Sequence, residues 1–153
     1  MSFYQTSYSL PNFSVQPRGK LQAPYGSIQH YPASAELTGD LTLSDAPANF
    51  MLIASGAWLY TAAPAITVTI PVYAGNEAFH EQLWEFLASN KRNVQDGDWF
   101  IIEIVNMSSA GDVTVTQGDV DRVVAYGTCG CIALQCTVTN QQGGGATHEF
   151  TLL

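Results

Sequence analysis

Residues 66–71, Ile66-Thr67-Val68-Thr69-Ile70-Pro71, alternate apolar and polar side chains with period two and stop at a proline. Such alternation puts every second side chain on one face, as a half-buried strand requires, and Pro71 cannot continue a ladder. Outward from this stretch the habit recurs. Toward the N-terminus lie Glu36-Leu37-Thr38, Leu41-Thr42-Leu43 and a mostly apolar run from Phe50 to Tyr60 broken by Ser55-Gly56, which is also read as strand. Toward the C-terminus follow Trp99 to Val105, Val113 to Thr116, Arg122 to Tyr126, Ile132 to Thr139 and Glu149 to Leu153. Breakers separate them, among them Gly39-Asp40, Asp45-Ala46-Pro47, Ala63-Pro64, Gly97, Gly111, Gly118, Gly130 and Gly143-Gly144-Gly145. The intervals look too short for crossover helices. The predicted fold is therefore mainly β, an antiparallel sandwich or jelly-roll-like domain.

One segment departs from this cadence. Between Asn76 and Asn93 the residues Phe79, Leu83, Phe86 and Leu87 recur at the spacing of one helical face, with Trp84 at its edge. Asn76 suits the N-cap, Glu77 and Glu81 the positive end of the helix dipole, and Lys91-Arg92 the negative end. One helix over 76–93 is predicted to lie across an open end or face of the β structure.

The chain's 153 residues, 46% hydrophobic and 12% charged, supply one sizeable core. Five basic against thirteen acidic residues give a net charge of -8, which argues against nucleic acid as a partner, since that affinity comes mainly from clustered cations. No apolar run is long enough for a membrane span. The start, Met-Ser-Phe-Tyr-Gln-Thr, lacks the basic and apolar parts of a secretory signal, so an unexported chain is expected.

The charge is unevenly placed. Residues 1–35 hold Arg18 and Lys20 and no acid, so the remaining net of -10 falls on 36–153. The leader also holds Pro11, Pro17, Pro24 and Pro32 with Phe3, Tyr4, Tyr8, Phe13, Tyr25 and Tyr31. Prolines at that spacing exclude a helix and interrupt long strands, while so many aromatics are unusual in a solvated linker. Residues 1–35 are therefore read as an extended arm ahead of a single 36–153 domain. Phe3, Tyr4, Tyr8, Phe13, Arg18, Tyr25 and Tyr31 are its expected partner-binding residues. Thirty extended residues reach about 100 Å, enough to cross a neighbouring subunit.

Catalytic chemistry finds no foothold. Cys129-Gly130-Cys131 and Cys136 are three thiols without the fourth ligand or the spacing of structural zinc, and Cys131 and Cys136, an odd number apart, should face opposite sides of a strand. No metal or cofactor is expected, and the thiols are read as reduced. His30, His80 and His148 are scattered; the neighbours His80-Glu81 and His148-Glu149 point in different directions, so exposed or capping roles are expected. Asp119-Val120-Asp121 offers two carboxylates, too few for a calcium shell, beside a Gly118 turn. Gly143-Gly144-Gly145 lacks the helix and Lys-Ser/Thr of a phosphate loop and is read as a hairpin connection.

The succession Gly97-Asp98-Trp99-Phe100-Ile101-Ile102-Glu103-Ile104-Val105-Asn106-Met107-Ser108, then Asp112 to Thr116, Val138-Thr139-Asn140 and Ala146 to Leu152, resembles β-rich modules of phage and large-virus structural proteins. These modules belong to capsid-associated, head-fibre and tail-fibre chains. The strand ending at Pro71 before a helix fits the same habit, so the likeness covers roughly residues 60–153. The resemblance implies a non-enzymatic virion protein of the decoration, minor capsid, cement or head-fibre type, made in the host cytoplasm. It further implies a homotrimer that meets a major capsid or other virion protein, with no active-site residues. The alternative from the residues is a receptor- or carbohydrate-binding module at a fibre tip, presenting Trp58, Tyr60, Tyr73 and Tyr126.

Overall fold

The computed structural model describes the backbone of residues 9–10, 13–16, 20–23, 26–29, 33–89 and 93–153, and side chains from residue 35 onward within them. The leader contributes β1 (Ser9–Leu10), β2 (Phe13–Gln16), β3 (Lys20–Ala23) and β4 (Gly26–Gln29), and β5 (Ala33–Leu37) and β6 (Leu41–Thr42) follow. Next come α1 (Pro47–Ser55), β7 (Gly56–Tyr60), β8 (Ile66–Thr69) and α2 (Glu77–Ser89). The C-terminal half supplies β9 (Trp99–Asn106), β10 (Val113–Gln117), β11 (Val120–Val124), β12 (Thr128–Asn140) and β13 (Ala146–Leu152).

These strands form two sheets. In the larger, β9 is the hub: β12 pairs with it antiparallel and carries β13 beyond, while β7 pairs with it parallel and carries β5 beyond. β4 joins the N-terminal end of β9 in parallel, Ile28 opposite Trp99, and continues into the antiparallel meander β3-β2-β1. The smaller sheet runs β11-β10-β8-β6. One core serves both. It joins Trp58, Tyr60, Phe100, Ile102, Ile104, Leu134 and Phe150 of the larger sheet to Ile66, Val68, Val113 and Val115 of the smaller, with Phe50, Phe79, Leu83 and Leu87 from the helices.

The mainly β class stands, but the wholly antiparallel arrangement is corrected to a mixed one. β5-β7, β7-β9, β6-β8, β8-β10 and β4-β9 are all parallel. Parallel neighbours need crossovers, and one of them contains α1, a second helix where strand was predicted for Phe50–Ser55. The run is apolar throughout, so periodicity could not separate buried helix from buried strand. The ends carried the signal: Pro47 opens the first turn, and Gly56 closes the last with φ 73°, a left-handed conformation that glycine adopts cheaply. The Leu52 carbonyl, freed there, accepts from Ser55 Oγ at 2.6 Å and Trp58 Nε1 at 2.9 Å.

The one predicted helix, placed over 76–93, is present over Glu77–Ser89, and Phe79, Leu83 and Leu87 are buried on its inner face as the spacing requires, with Phe86 half-buried. Its start differs from expectation. The Asn76 amide donates back to the Val72 carbonyl at 3.0 Å, while Glu77 accepts the Gly75 N–H at 3.0 Å, which holds the Glu77 carboxyl below its usual range. Lys91 and Arg92 lie outside the described residues. In the leader, the described stretches are strands of two to four residues in hairpin order. In sequence, Pro11, Pro17 and Pro24 fall between them.

Candidate interaction surface

Alternation along β9 sorts the larger sheet into two faces with different chemistry. Phe100, Ile102, Ile104 and Asn106 point inward and are buried; Trp99, Ile101, Glu103 and Val105 point outward. The inward polar groups are tied into the fold. Asn106 donates through Nδ2 to the Gly111 and Val124 carbonyls, each at 3.0 Å, and its oxygen accepts the Ser108 N–H at 3.1 Å. Gly111 must be glycine there, since a Cβ would sit 2.2 Å from the Pro64 carbonyl oxygen.

A second buried network joins the sheets to α2. Gln117 of β10 donates to the Pro71 and Phe150 carbonyls at 2.9 Å each and accepts the Leu152 N–H at 2.6 Å. His80 accepts the Phe150 N–H at Nδ1, 3.0 Å, so its proton sits on Nε2 and donates to the Pro71 carbonyl at 3.1 Å. Burial lowers the His80 pKa, against the opposing pull of its Pro71 hydrogen bond and the Glu149 and Glu81 carboxylates. The exposed or capping role expected for the histidines is thus corrected for two of them: His80 is fully buried and His148 is 6% exposed.

His148 pairs with Glu81 rather than with its sequence neighbour. One carboxylate oxygen of Glu81 accepts the His148 backbone N–H at 2.6 Å, and the other lies 2.7 Å from Nδ1. The ring stacks on Trp84 at a centroid distance of 3.9 Å. Among the described residues, the Trp84 indole N–H is the buried side-chain polar atom without a hydrogen-bond partner. The Glu81–His148 pair spans 67 positions, so spacing along the chain could not show it.

The outward face is of the opposite kind. Register places Leu59 beside Val105 and Cys129, Ala57 beside Glu103 and Cys131, Ile101 beside Ala133, and Trp99 beside Gln135. Ala57, Leu59, Ile101, Val105 and Ala133 are half-buried, and Trp99 is 38% exposed. Antiparallel sheets often turn a polar face to water, whereas parallel strands are usually covered on both faces and carry apolar residues on both. β5, β7 and β9 are parallel; the outward side chains of β7 and β9 follow the second pattern apart from Glu103, while β5 sets the exposed Glu36 beside Leu59 at the margin. A contiguous apolar patch of this sort commonly marks a contact with another protein.

The other predicted residues fall as follows. Phe3, Tyr4, Tyr8, Arg18, Tyr25 and Tyr31, and the Phe13 side chain, lie outside the described residues, as does His30. Of the aromatics considered for ligand binding, Trp58 and Tyr60 are fully buried, Tyr73 is half-buried and Tyr126 is 55% exposed. Cys129 and Cys131 are exposed and Cys136 is buried, with its thiol pushed up to about 12 by burial and then by Asp98, Asp96 and Glu81. Asp119 follows the left-handed Gly118 in the turn between β10 and β11, and Gly143 lies in the β12–β13 turn. Among the described residues no group of three or more His, Cys, Asp or Glu could hold a metal, and no helix is long and apolar enough to cross a membrane. No family model, curated protein or solved structure matches the chain.

Proposed function

We propose that the chain is a non-enzymatic virion structural protein of the capsid decoration, cement or head-fibre type. Its two sheets form a sandwich-like body that self-associates, as a trimer, through the outward face of the larger sheet. The Pro/Tyr-rich leader anchors that body to a major capsid or other virion protein. The observation that carries this reading is the outward grid of Leu59 on β7 and Ile101 and Val105 on β9, parallel neighbours of the kind usually covered on both sides, continued by Ala133 on the antiparallel β12. The buried polar groups support it, because His80, Gln117, Asn106 and Glu81–His148 hold strands and helices together.

Gradient purification of particles assembled with variant chains tests both halves. Val105→Lys places a cation in the apolar grid and should abolish self-association while the body stays folded. Full-length chains with Phe3, Tyr4 and Tyr8 replaced by Ala should self-associate normally yet be at least tenfold depleted from particles. Normal incorporation of the leader variant contradicts the anchoring role, and normal association of the Val105→Lys chain contradicts the role of the face.

A further inference from the structure

Three soft sulfur donors occupy neighbouring register positions at the rim of the outward face. Cys129 and Cys131 alternate with Gly130 on β12 and are both exposed, so both thiols project to the same side of the sheet. Cys129 stands opposite Val105 of β9, and Met107, two residues further along, is 67% exposed. It continues the outward alternation of Trp99, Ile101, Glu103 and Val105, between the buried Asn106 and Ser108. Its backbone is still held beside the sheet, its N–H donating to the Tyr60 carbonyl at 2.8 Å. A diagonal neighbour across an antiparallel pair lies within reach of a side chain as long as methionine.

We propose that Cys129, Cys131 and Met107 form a binding site for a soft d10 cation, Cu(I), held by two thiolates and one thioether. Zinc is a poor fit, because its structural sites take four ligands from Cys, His and carboxylates, and thioether is not among them. Thiolate and thioether are soft donors that suit Cu(I), and three of them match its low coordination number. Spacing favours an ion over a disulfide. Residues two apart on a strand have Cα atoms about 6.5–7 Å apart with parallel side chains, at the upper limit of what an S–S bond of about 2.05 Å can close. Two metal–thiolate bonds of about 2.3 Å span up to about 4.6 Å between sulfurs, which parallel side chains reach by rotation alone.

The backbone between the thiols cannot buckle freely to shorten that gap. A Cβ on Gly130 would lie 2.8 Å from Val124 Cγ2, so the strand is pressed against β11 at this point. Within the chain both thiols are exposed and so open to a cation from solvent. Cys136 is excluded from the site by its burial on the opposite face. The inference does not rest on the virion reading.

The test is an anaerobic titration of the reduced, full-length chain with Cu(I), with bicinchoninate as the competing chromophoric chelator. One equivalent of Cu(I) per chain should be withdrawn from the chelator, with a new thiolate-to-copper absorption in the ultraviolet. C129S and C131S should each weaken binding at least a hundredfold, M107L several-fold, and C136S not at all, with circular dichroism unchanged in the first three. Failure of the wild-type chain to compete, binding by C129S equal to wild type, or half an equivalent bridging two chains would overturn the site. An M107L chain that matches wild type would overturn its three-donor form.

Discussion

Trp58 and Leu59 are consecutive residues of β7, and they belong to different environments. Trp58 faces inward, fully buried, with its indole N–H on the Leu52 carbonyl; Leu59 faces outward in the half-buried grid beside Val105. The inner face of the larger sheet is completed by this chain, down to Gln117 filling three backbone groups. The outer face has the same aliphatic character and no comparable layer among the described residues. The difference teaches that alternate residues of one strand can serve a completed core on one side and an unlayered surface on the other.

Substitutions one residue apart should therefore separate the two properties. The largest effect is expected from Trp58→Ala, which removes a fully buried ring and a hydrogen bond and should cost about 3–5 kcal/mol in chemical denaturation of the non-associated chain. Gln117→Leu comes next: it strands the buried Leu152 N–H and removes one donor each from the Pro71 and Phe150 carbonyls, a loss of about 1–3 kcal/mol. If either variant matched wild type in denaturant midpoint, the inner network would not hold the sheets as described.

Acid should act on the same inner face through His80. Its folded pKa lies below the unfolded value of about 6.5, so the unfolded chain binds more protons in that window. Stability is then complete above about pH 6.5 and declines as pH falls from there toward the lowered folded pKa. Glu77, also lowered, adds a separate decline further into acid as its carboxylate protonates. Denaturant midpoints measured from pH 8 to pH 5 should fall for the wild-type chain and flatten for His80→Gln. A wild-type profile with no decline in that range would show that the imidazole is not held neutral.

The smallest effect on folding belongs to the outer face. Leu59→Ala and Val105→Lys should each cost the single chain clearly less than Trp58→Ala does, because both side chains are only half-buried where Trp58 is fully buried. Their consequence should be confined to association, read by sedimentation. Losses comparable to that of Trp58→Ala would place these residues in the core and erase the distinction.

Much of this architecture was legible in sequence wherever one face of a strand is wet. Ile66–Thr69 and Val113–Gln117 alternate cleanly, and each is a strand. The α2 face was legible for the same reason at the helical period. Legibility failed where periodicity carries nothing, as in Met51-Leu52-Ile53-Ala54, uniformly apolar and helical between Pro47 and Gly56. It failed again for strand direction, because an apolar pattern fixes faces but not which neighbour a strand runs beside. His80 and His148 were misread because their partners, Phe150 and Glu81, lie 70 and 67 residues away. The outward grid was likewise invisible, since Leu59, Val105 and Cys129 become neighbours only through the β7-β9-β12 register.

The most direct measurement is the mass of the reduced full-length chain in solution at micromolar concentration by light scattering, with Val105→Lys in parallel to confirm that the grid is the contact. Cover by sister subunits predicts three times the 16.5 kDa chain mass, falling to the single-chain value with Val105→Lys. A wild-type chain that remains at 16.5 kDa, or a trimer indifferent to the lysine, would contradict it.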